Sequence, residues 1–128
     1  MEGGCLCKTI RFKVEGDPLW VGACYCKDCR KASGAPYVVF AGYEQKDVTL
    51  LQGNPKTYAS SEHVRTTFCA ECGSPYDFRY VDGNYASWRY IPLGLFDDSS
   101  SFKITDHIWV SQKLPWLHIM DSAPQHER

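Results

Sequence analysis

Seven cysteines in three short clusters constrain this chain more than any other feature of its sequence. The clusters are Cys5-x-Cys7, Cys24-x-Cys26-x-x-Cys29 and Cys69-x-x-Cys72. An odd number of cysteines, behind an opening stretch that has no apolar export segment, makes a disulfide framework the weaker interpretation. Short Cys-x-Cys and Cys-x-x-Cys spacings let neighbouring sulfurs approach one metal ion, so we expect each cluster to chelate zinc.

The number of thiolates in each group predicts two different kinds of site. Two separated pairs can close one tetrahedral site, and pairing the first cluster with the last predicts a structural zinc held by Cys5, Cys7, Cys69 and Cys72. Cys24, Cys26 and Cys29 then remain as a three-thiolate set with an open fourth position. Three protein ligands and one vacancy are typical of catalytic zinc sites, where water, a thiol or a carbonyl oxygen can bind.

Spacing alone leaves three alternatives open. A single zinc ribbon could use Cys26, Cys29 and the Cys69–Cys72 pair, or Cys26 and Cys29 could form a thioredoxin-like redox pair. The three-thiolate set could also be a second structural site that a distant histidine completes. The four histidines form no His-x-x-x-His pair, and we assign none of them to metal.

Alternating and β-branched segments predict a mainly β protein. Strands are expected at residues 8–14, 36–42, 47–51, 64–68, 76–80, 85–90 and 107–111. Asp82-Gly83 predicts a tight hairpin between two of them. Short helices are expected at 27–33 and 115–121.

The length of 128 residues fits one domain. No internal repeat or linker divides the chain, so we predict a single zinc-binding domain at residues 1–121. Residues 122–128 are polar and are expected to form a frayed C-terminal tail.

The charge balance excludes two classes of partner. Fourteen Lys and Arg against fifteen Asp and Glu give a net charge of -1, which provides no field to gather nucleic acid or an anionic membrane. No apolar run reaches the roughly 18 residues of a membrane span. We therefore expect a soluble, cytoplasmic protein without nucleic-acid or membrane partners.

Four ordered motifs resemble one known family. They are "GGCLCKTIRF", "CYCKDCRKASG", "FCAECGSP" and "HIWVSQKLPWLHIMD". They resemble the opening, central, knuckle and closing motifs of the glutathione-dependent formaldehyde-activating enzyme family, whose domain is shared with centromere protein V. One departure is Lys8, since family members usually carry Gly after the Cys-x-Cys.

The resemblance implies a mainly β fold of several small curled antiparallel sheets with zinc knuckles and few short helices. It also implies two Zn²⁺ per chain, a structural one on Cys5, Cys7, Cys69 and Cys72 and a catalytic one on Cys24, Cys26 and Cys29. The enzyme that names the family is a carbon-sulfur lyase by class, which joins formaldehyde and glutathione to give S-hydroxymethylglutathione. The basic tail of a chromatin-associated relative is absent here.

The charge of the open site indicates how it would react. Three thiolates around Zn²⁺ leave a formal charge of -1, which weakens the metal as a Lewis acid and makes it labile toward another thiol. We therefore expect a thiol such as glutathione to bind there, with Arg30 and Lys31 as candidates for its carboxylates. A solvated basic pair on a short helix is the alternative for these two residues. The competing function is a non-catalytic, zinc-stabilised module that binds a protein partner.

Overall fold

The computed structural model describes all 128 residues and confirms the mainly β prediction. It contains ten short strands, one α-helix and single 3₁₀ turns at Gln45–Asp47, Leu93–Leu95 and Val110–Gln112. The strands are β1 (Glu2–Gly4), β2 (Arg11–Val14), β3 (Trp20–Cys24), β4 (Val38–Glu44), β5 (Val48–Gln52), β6 (Lys56–Ala59), β7 (Val64–Phe68), β8 (Pro75–Tyr80), β9 (Trp88–Pro92) and β10 (Asp106–Ile108), and the helix is α1 (Lys27–Ser33).

The strands form two open sheets. The smaller has the order β1-β2-β5, and the larger has the order β10-β3-β4-β9-β8-β7-β6. Every pair is antiparallel except β10 with β3, which is parallel. In β2 the side chains of Phe12 and Val14 are buried while Arg11 and Lys13 are less so, as the alternation in the sequence predicts.

The main core lies between the two sheets. The ring of Phe12 packs 5.4 Å from Tyr76 and 5.3 Å from Phe96, measured between ring centroids. Tyr43 and Ile91 extend this core along β4 and β9. Aromatic side chains of this size supply much of the apolar area that a small domain can bury.

The opposite face of the larger sheet carries a second aromatic cluster. Phe78 stacks on Tyr90 at 4.5 Å between centroids, and Trp20 meets Tyr90 edge-on at 5.8 Å. A Cβ added to Gly22 would lie 1.8 Å from the Trp20 ring, so the indole lies over the position that a larger residue would fill. These rings pack around Cys24.

The structure contains one of the two predicted helices. Helix α1 begins and ends where the sequence indicates; the Cys26 sulfur caps its N-terminus and Gly34, with a φ of 69°, ends it. The predicted helix at 115–121 is wrong, because only Pro115 and Trp116 form a turn and residues 117–120 have no regular secondary structure. A local side-chain contact lies beside this turn: the ammonium group of Lys113 donates to the carbonyl of Leu117 at 2.5 Å.

Two further expectations are corrected. The tight hairpin at Asp82-Gly83 is wrong, since the neighbours β8 and β9 are joined by residues 81–87, although Gly83 does have a positive φ of 85°. The expectation of a frayed tail is also wrong: the amide of His107 donates to Pro124, and that of His126 donates back to His107, both at 2.8 Å. Strands β1, β3 and β6 were not predicted.

Candidate metal centres

The first cysteine group brings together two knuckles that are far apart in the chain. The sulfurs of Cys5, Cys7, Cys69 and Cys72 all lie within 4.8 Å of one another. Cys7 Sγ lies 3.6 Å from Cys5 Sγ and 3.7 Å from Cys69 Sγ. A Zn–S bond of about 2.3 Å sets a sulfur–sulfur distance of about 3.8 Å in a regular tetrahedron. The donor set therefore fits zinc as it stands.

Backbone hydrogen bonds close each knuckle behind its first cysteine. The amide of Cys5 donates to the carbonyl of Ile10 at 3.1 Å, and that of Cys69 donates to the carbonyl of Ser74 at 2.9 Å. In both knuckles the residue after the second cysteine has a left-handed backbone, with φ of 70° at Lys8 and 78° at Gly73. Glycine adopts this conformation freely, whereas lysine does so at a steric cost.

Hydrogen bonds favour the thiolate form at Cys5 and Cys72, two of the four cysteines of this group. The amide of Ile10 donates to Cys5 Sγ at 3.2 Å. Ser74 Oγ accepts from the amide of Leu6 at 3.1 Å and lies 3.2 Å from Cys72 Sγ, so it links the two knuckles. The Ser74 hydroxyl and amide lower the pKa of Cys72 to about 5. A thiolate is the form that binds a metal.

The second cysteine group is entirely local. The sulfurs of Cys24, Cys26 and Cys29 lie within 4.8 Å of one another. Cys24 ends β3, Cys26 precedes α1 and Cys29 lies in its first turn; the amide of Cys29 donates to Cys26 Sγ at 3.2 Å. The grouping separates Cys26 and Cys29 from the Cys69–Cys72 pair, which argues against the single zinc ribbon.

One proton is shared within this second group. Cys29 Sγ donates to Cys24 Sγ at 3.1 Å, and this bond lowers the pKa of Cys24 to about 7 although its side chain is only 4% exposed. The same bond, with burial, raises the pKa of Cys29. Burial also raises the pKa of Cys26 and of the neighbouring Tyr80. The group thus holds one readily formed thiolate in largely apolar surroundings, beside the aromatic cluster.

A buried polar network that the sequence did not predict lies next to the second group. Tyr25, between Cys24 and Cys26, has its hydroxyl 2.8 Å from His107 Nδ1, and His107 Nε2 lies 2.8 Å from a carboxylate oxygen of Asp121. The His107 side chain is only 2% exposed. No spacing rule connects residues that are 14 or 82 positions apart. The parallel pairing of β10 with β3 is what brings His107 beside Tyr25.

A cavity of about 370 Å³ opens beside this network. Tyr25, His107 and Asp121 line it, together with Tyr37 and His118. The predicted basic residues do not: Arg30 Nη1 donates to the carbonyl of Gln112 at 2.8 Å, and Lys31 is exposed on α1. The exposed indole rings of Trp109 and Trp116 do not line it either.

The fold and the two sulfur groups define a class: a small, mainly β protein with two thiol centres that could each hold a metal ion. The sequence then identifies the family. Residues 1–112 match the sequence model of the glutathione-dependent formaldehyde-activating enzymes, and the chain belongs to that family.

Proteins similar to this chain include one named relative and one solved structure. One is a Schizosaccharomyces pombe protein named as an uncharacterized lyase, 33% identical over 82 residues; the match covers 64% of this chain and 59% of that protein. The other is a Rhodobacter sphaeroides protein with a crystal structure, which is 18% identical. That similarity covers 98% of this chain and 99% of the other with a TM-score of 0.62, and it shows the shared fold.

The helices of the molecule do not meet the requirements for crossing a membrane. None of its helices combines the length and the apolar character required to cross a lipid bilayer.

Proposed function

We propose that this chain is a zinc-dependent enzyme of the carbon-sulfur lyase type that acts on a thiol–aldehyde adduct. In this proposal Cys24, Cys26 and Cys29 hold the reactive zinc, and the four-cysteine group holds a structural one. The observation that carries the proposal is the division of seven sulfurs into one group of four and one group of three. The family match supports glutathione and formaldehyde as the substrates.

The reaction joins a thiol to an aldehyde. The sulfur forms a bond to the carbonyl carbon, and the thiol proton ends on the former carbonyl oxygen, which gives an S-hydroxymethyl product; the lyase direction reverses both steps. A zinc ion on the three thiolates would supply an open coordination position at which a substrate thiol loses its proton near neutral pH. The chain itself supplies the surrounding apolar rings, which exclude water and strengthen charge interactions at this position.

Other residues are proposed to hold the cysteines in position or to bind the substrate. The network of Asp121, His107 and Tyr25 holds the backbone between Cys24 and Cys26, because Tyr25 lies between these two cysteines. Arg30 and Lys31 follow the last cysteine of the group and are proposed to attract the carboxylates of glutathione. Arg30 has one nitrogen engaged with Gln112, which leaves the other guanidinium donors for a ligand.

Zinc counting combined with adduct formation tests this proposal. We expect about two zinc ions per chain, and faster formation of S-hydroxymethylglutathione from ¹³C-formaldehyde and glutathione, followed by NMR, than in buffer alone. Cys26→Ser keeps a side chain that can cap α1 and should lose one zinc and the activity while remaining folded. Two zinc ions that excess thiol cannot displace, with no acceleration, would instead favour the non-catalytic binding module.

We also propose that the protein works in the cytoplasm. All seven cysteines are free in the structure, and a reducing compartment such as the cytoplasm would keep them available to metal.

A further inference from the structure

A second cavity, of about 330 Å³, lies on the side of the larger sheet away from the three-cysteine group. Successive residues of a strand point to opposite faces. In β8, Phe78 packs toward Cys24, whereas Asp77 and Arg79 line this cavity. Val48 of the smaller sheet contributes to the other wall. The cavity is therefore separate from the proposed reactive site.

Arg89 enters this cavity with part of its guanidinium unsatisfied. Its Nε lies 3.8 Å from the carboxylate of Asp77, and that carboxylate also accepts a hydrogen bond from Thr67 Oγ1 at 2.5 Å. Arg89 Nη1 is buried and has no hydrogen-bond partner. Burial lowers the pKa of Arg89, and the Asp77 carboxylate only partly opposes this effect. A buried charged donor without a partner is costly and rare in native proteins.

A second guanidinium adds to the uncompensated charge. Arg79 also lines the cavity, and its cross-strand neighbour in β7 is another cation, Arg65. No ion pair in the structure involves Arg79. Two guanidinium groups and one carboxylate, that of Asp77, thus line the cavity, which leaves one positive charge in excess.

We propose that this cavity binds a small organic carboxylate with a short apolar chain. A carboxylate carries the single negative charge that matches the excess, and its planar pair of oxygens suits a guanidinium fork. Thr57 and Gln45 add neutral polar groups, while Val48 and Leu50 provide apolar surface for a chain of a few carbons. The volume is at the lower end of the range for small-molecule sites.

Titration of the zinc-loaded, ¹⁵N-labelled protein with butyrate tests this inference. We expect saturable amide shifts at the cavity-lining residues of β5 to β9, and no such response to butylammonium chloride at equal ionic strength. Shifts that never saturate, or that match those from sodium chloride, would overturn the proposal. Inorganic phosphate is the third probe: binding at the same residues that is tighter than that of butyrate would assign the cavity to phosphate and also overturn it.

Two charge-neutralising variants provide the matched comparison. Arg79→Gln should weaken butyrate binding at least about tenfold, because it removes the excess charge. Arg128→Gln removes the same charge from an exposed position outside the cavity lining and should leave the affinity unchanged. Equal losses in both variants would show attraction by the general surface charge and contradict a defined site. These measurements do not depend on lyase activity, so their outcome is separate from that of the proposed function.

Discussion

The two cysteine groups differ in how far along the chain their sulfurs come from. In the four-cysteine group, Cys7 and Cys69 meet across 62 positions, whereas the three-cysteine group spans only six residues, from Cys24 to Cys29. Closing a long loop costs chain entropy, which a metal bound to the four-cysteine group would offset. The local group needs no such closure, because β3 and α1 position it. This difference supports the proposal that the four-cysteine group stabilises the fold and that the three-cysteine group holds the reactive metal.

The two cysteine groups also differ in how closely their sulfur–sulfur distances match those of a zinc tetrahedron. The distances of 3.6 and 3.7 Å in the first group are close to those of a zinc tetrahedron, while Cys24 and Cys29 lie only 3.1 Å apart. The local group must therefore widen to hold zinc. This supports the proposal that its metal is the labile one.

Replacing one cysteine of each group by serine should give the largest difference in stability between the two groups. Cys69→Ser removes a ligand of the long-range group and should lower the free energy of unfolding by more than about 3 kcal/mol, because metal binding there is coupled to folding. Cys26→Ser should change it by less than about 1 kcal/mol, since serine also caps a helix. Urea unfolding followed by far-UV circular dichroism measures both values. Similar losses in the two variants would contradict the assigned roles.

The second largest difference between the two cysteine groups is expected in the removal of their metal ions. With a chromogenic zinc chelator we expect release in two steps, the first from the three-cysteine group and the second, at about tenfold higher chelator concentration, together with loss of structure. Added glutathione should promote only the first step. Cys26→Ser serves as the control and should lack that step; if it retained both steps, the assignment of the labile metal would be wrong.

Substitutions in the network of Tyr25 and His107 should change the stability by a moderate amount. His107→Phe leaves the Tyr25 hydroxyl buried without its partner and should cost about 1–3 kcal/mol of stability. Adding Tyr25→Phe removes that orphaned group, so the double variant should lose less than the sum of the two single losses. Thermal or urea unfolding of the four proteins measures this coupling. Strict additivity would show that the two side chains do not act together.

The two knuckles have different residues, Lys8 and Gly73, at the position with the left-handed backbone. Substitutions there should have a smaller effect on stability. Lys8→Gly relieves a left-handed lysine and should stabilise the protein by up to about 1 kcal/mol, whereas Gly73→Ala creates the same strain and should destabilise it by about 1 kcal/mol. Urea midpoints measured with zinc bound check both signs. A loss of stability on Lys8→Gly would show that contacts of the lysine outweigh its backbone strain.

The smallest expected effect is on the pH dependence of stability. The hydrogen bond from His107 lowers the pKa of Asp121 below its ordinary value of 3.8. This contribution is therefore fully present above pH 3.8 and is lost as the pH falls through the lower folded-state value. Asp121→Asn should flatten the acid side of the stability curve, measured by urea midpoints from pH 6 to pH 3. Asp17→Asn, at an exposed position outside the network, is the control and should leave the acid side of the curve unchanged.

Local patterns in the sequence predicted local structure well. The bounds of α1 and of β7 follow from neighbouring residues, and the alternation in β2 identifies its buried face. The spacing within each cysteine cluster likewise anticipated that the sulfurs of one cluster lie close together. These features depend on interactions over a few residues, so single-chain reasoning can reach them.

Features that depend on tertiary contacts were missed or wrong. Strand β3 was not predicted because Gly22 weakens its strand pattern, and only the packing of the Trp20 ring explains that glycine. The helix expected at 115–121 does not form, because residues of this segment bond to distant partners, as Asp121 does to His107. Tertiary contacts of this kind override local propensity.

The amino-acid sequence alone is enough to assign the family and the mainly β class, and short-range spacing indicates that each cysteine cluster can chelate a metal. That the first cluster meets the last, and not the second, follows from the tertiary structure. Only the tertiary structure decided that His107 and Asp121 support Tyr25, and that Arg79 and Arg89 share a second cavity. The physical reason is that strand pairing joins residues many positions apart, and no local pattern records which strands will become neighbours.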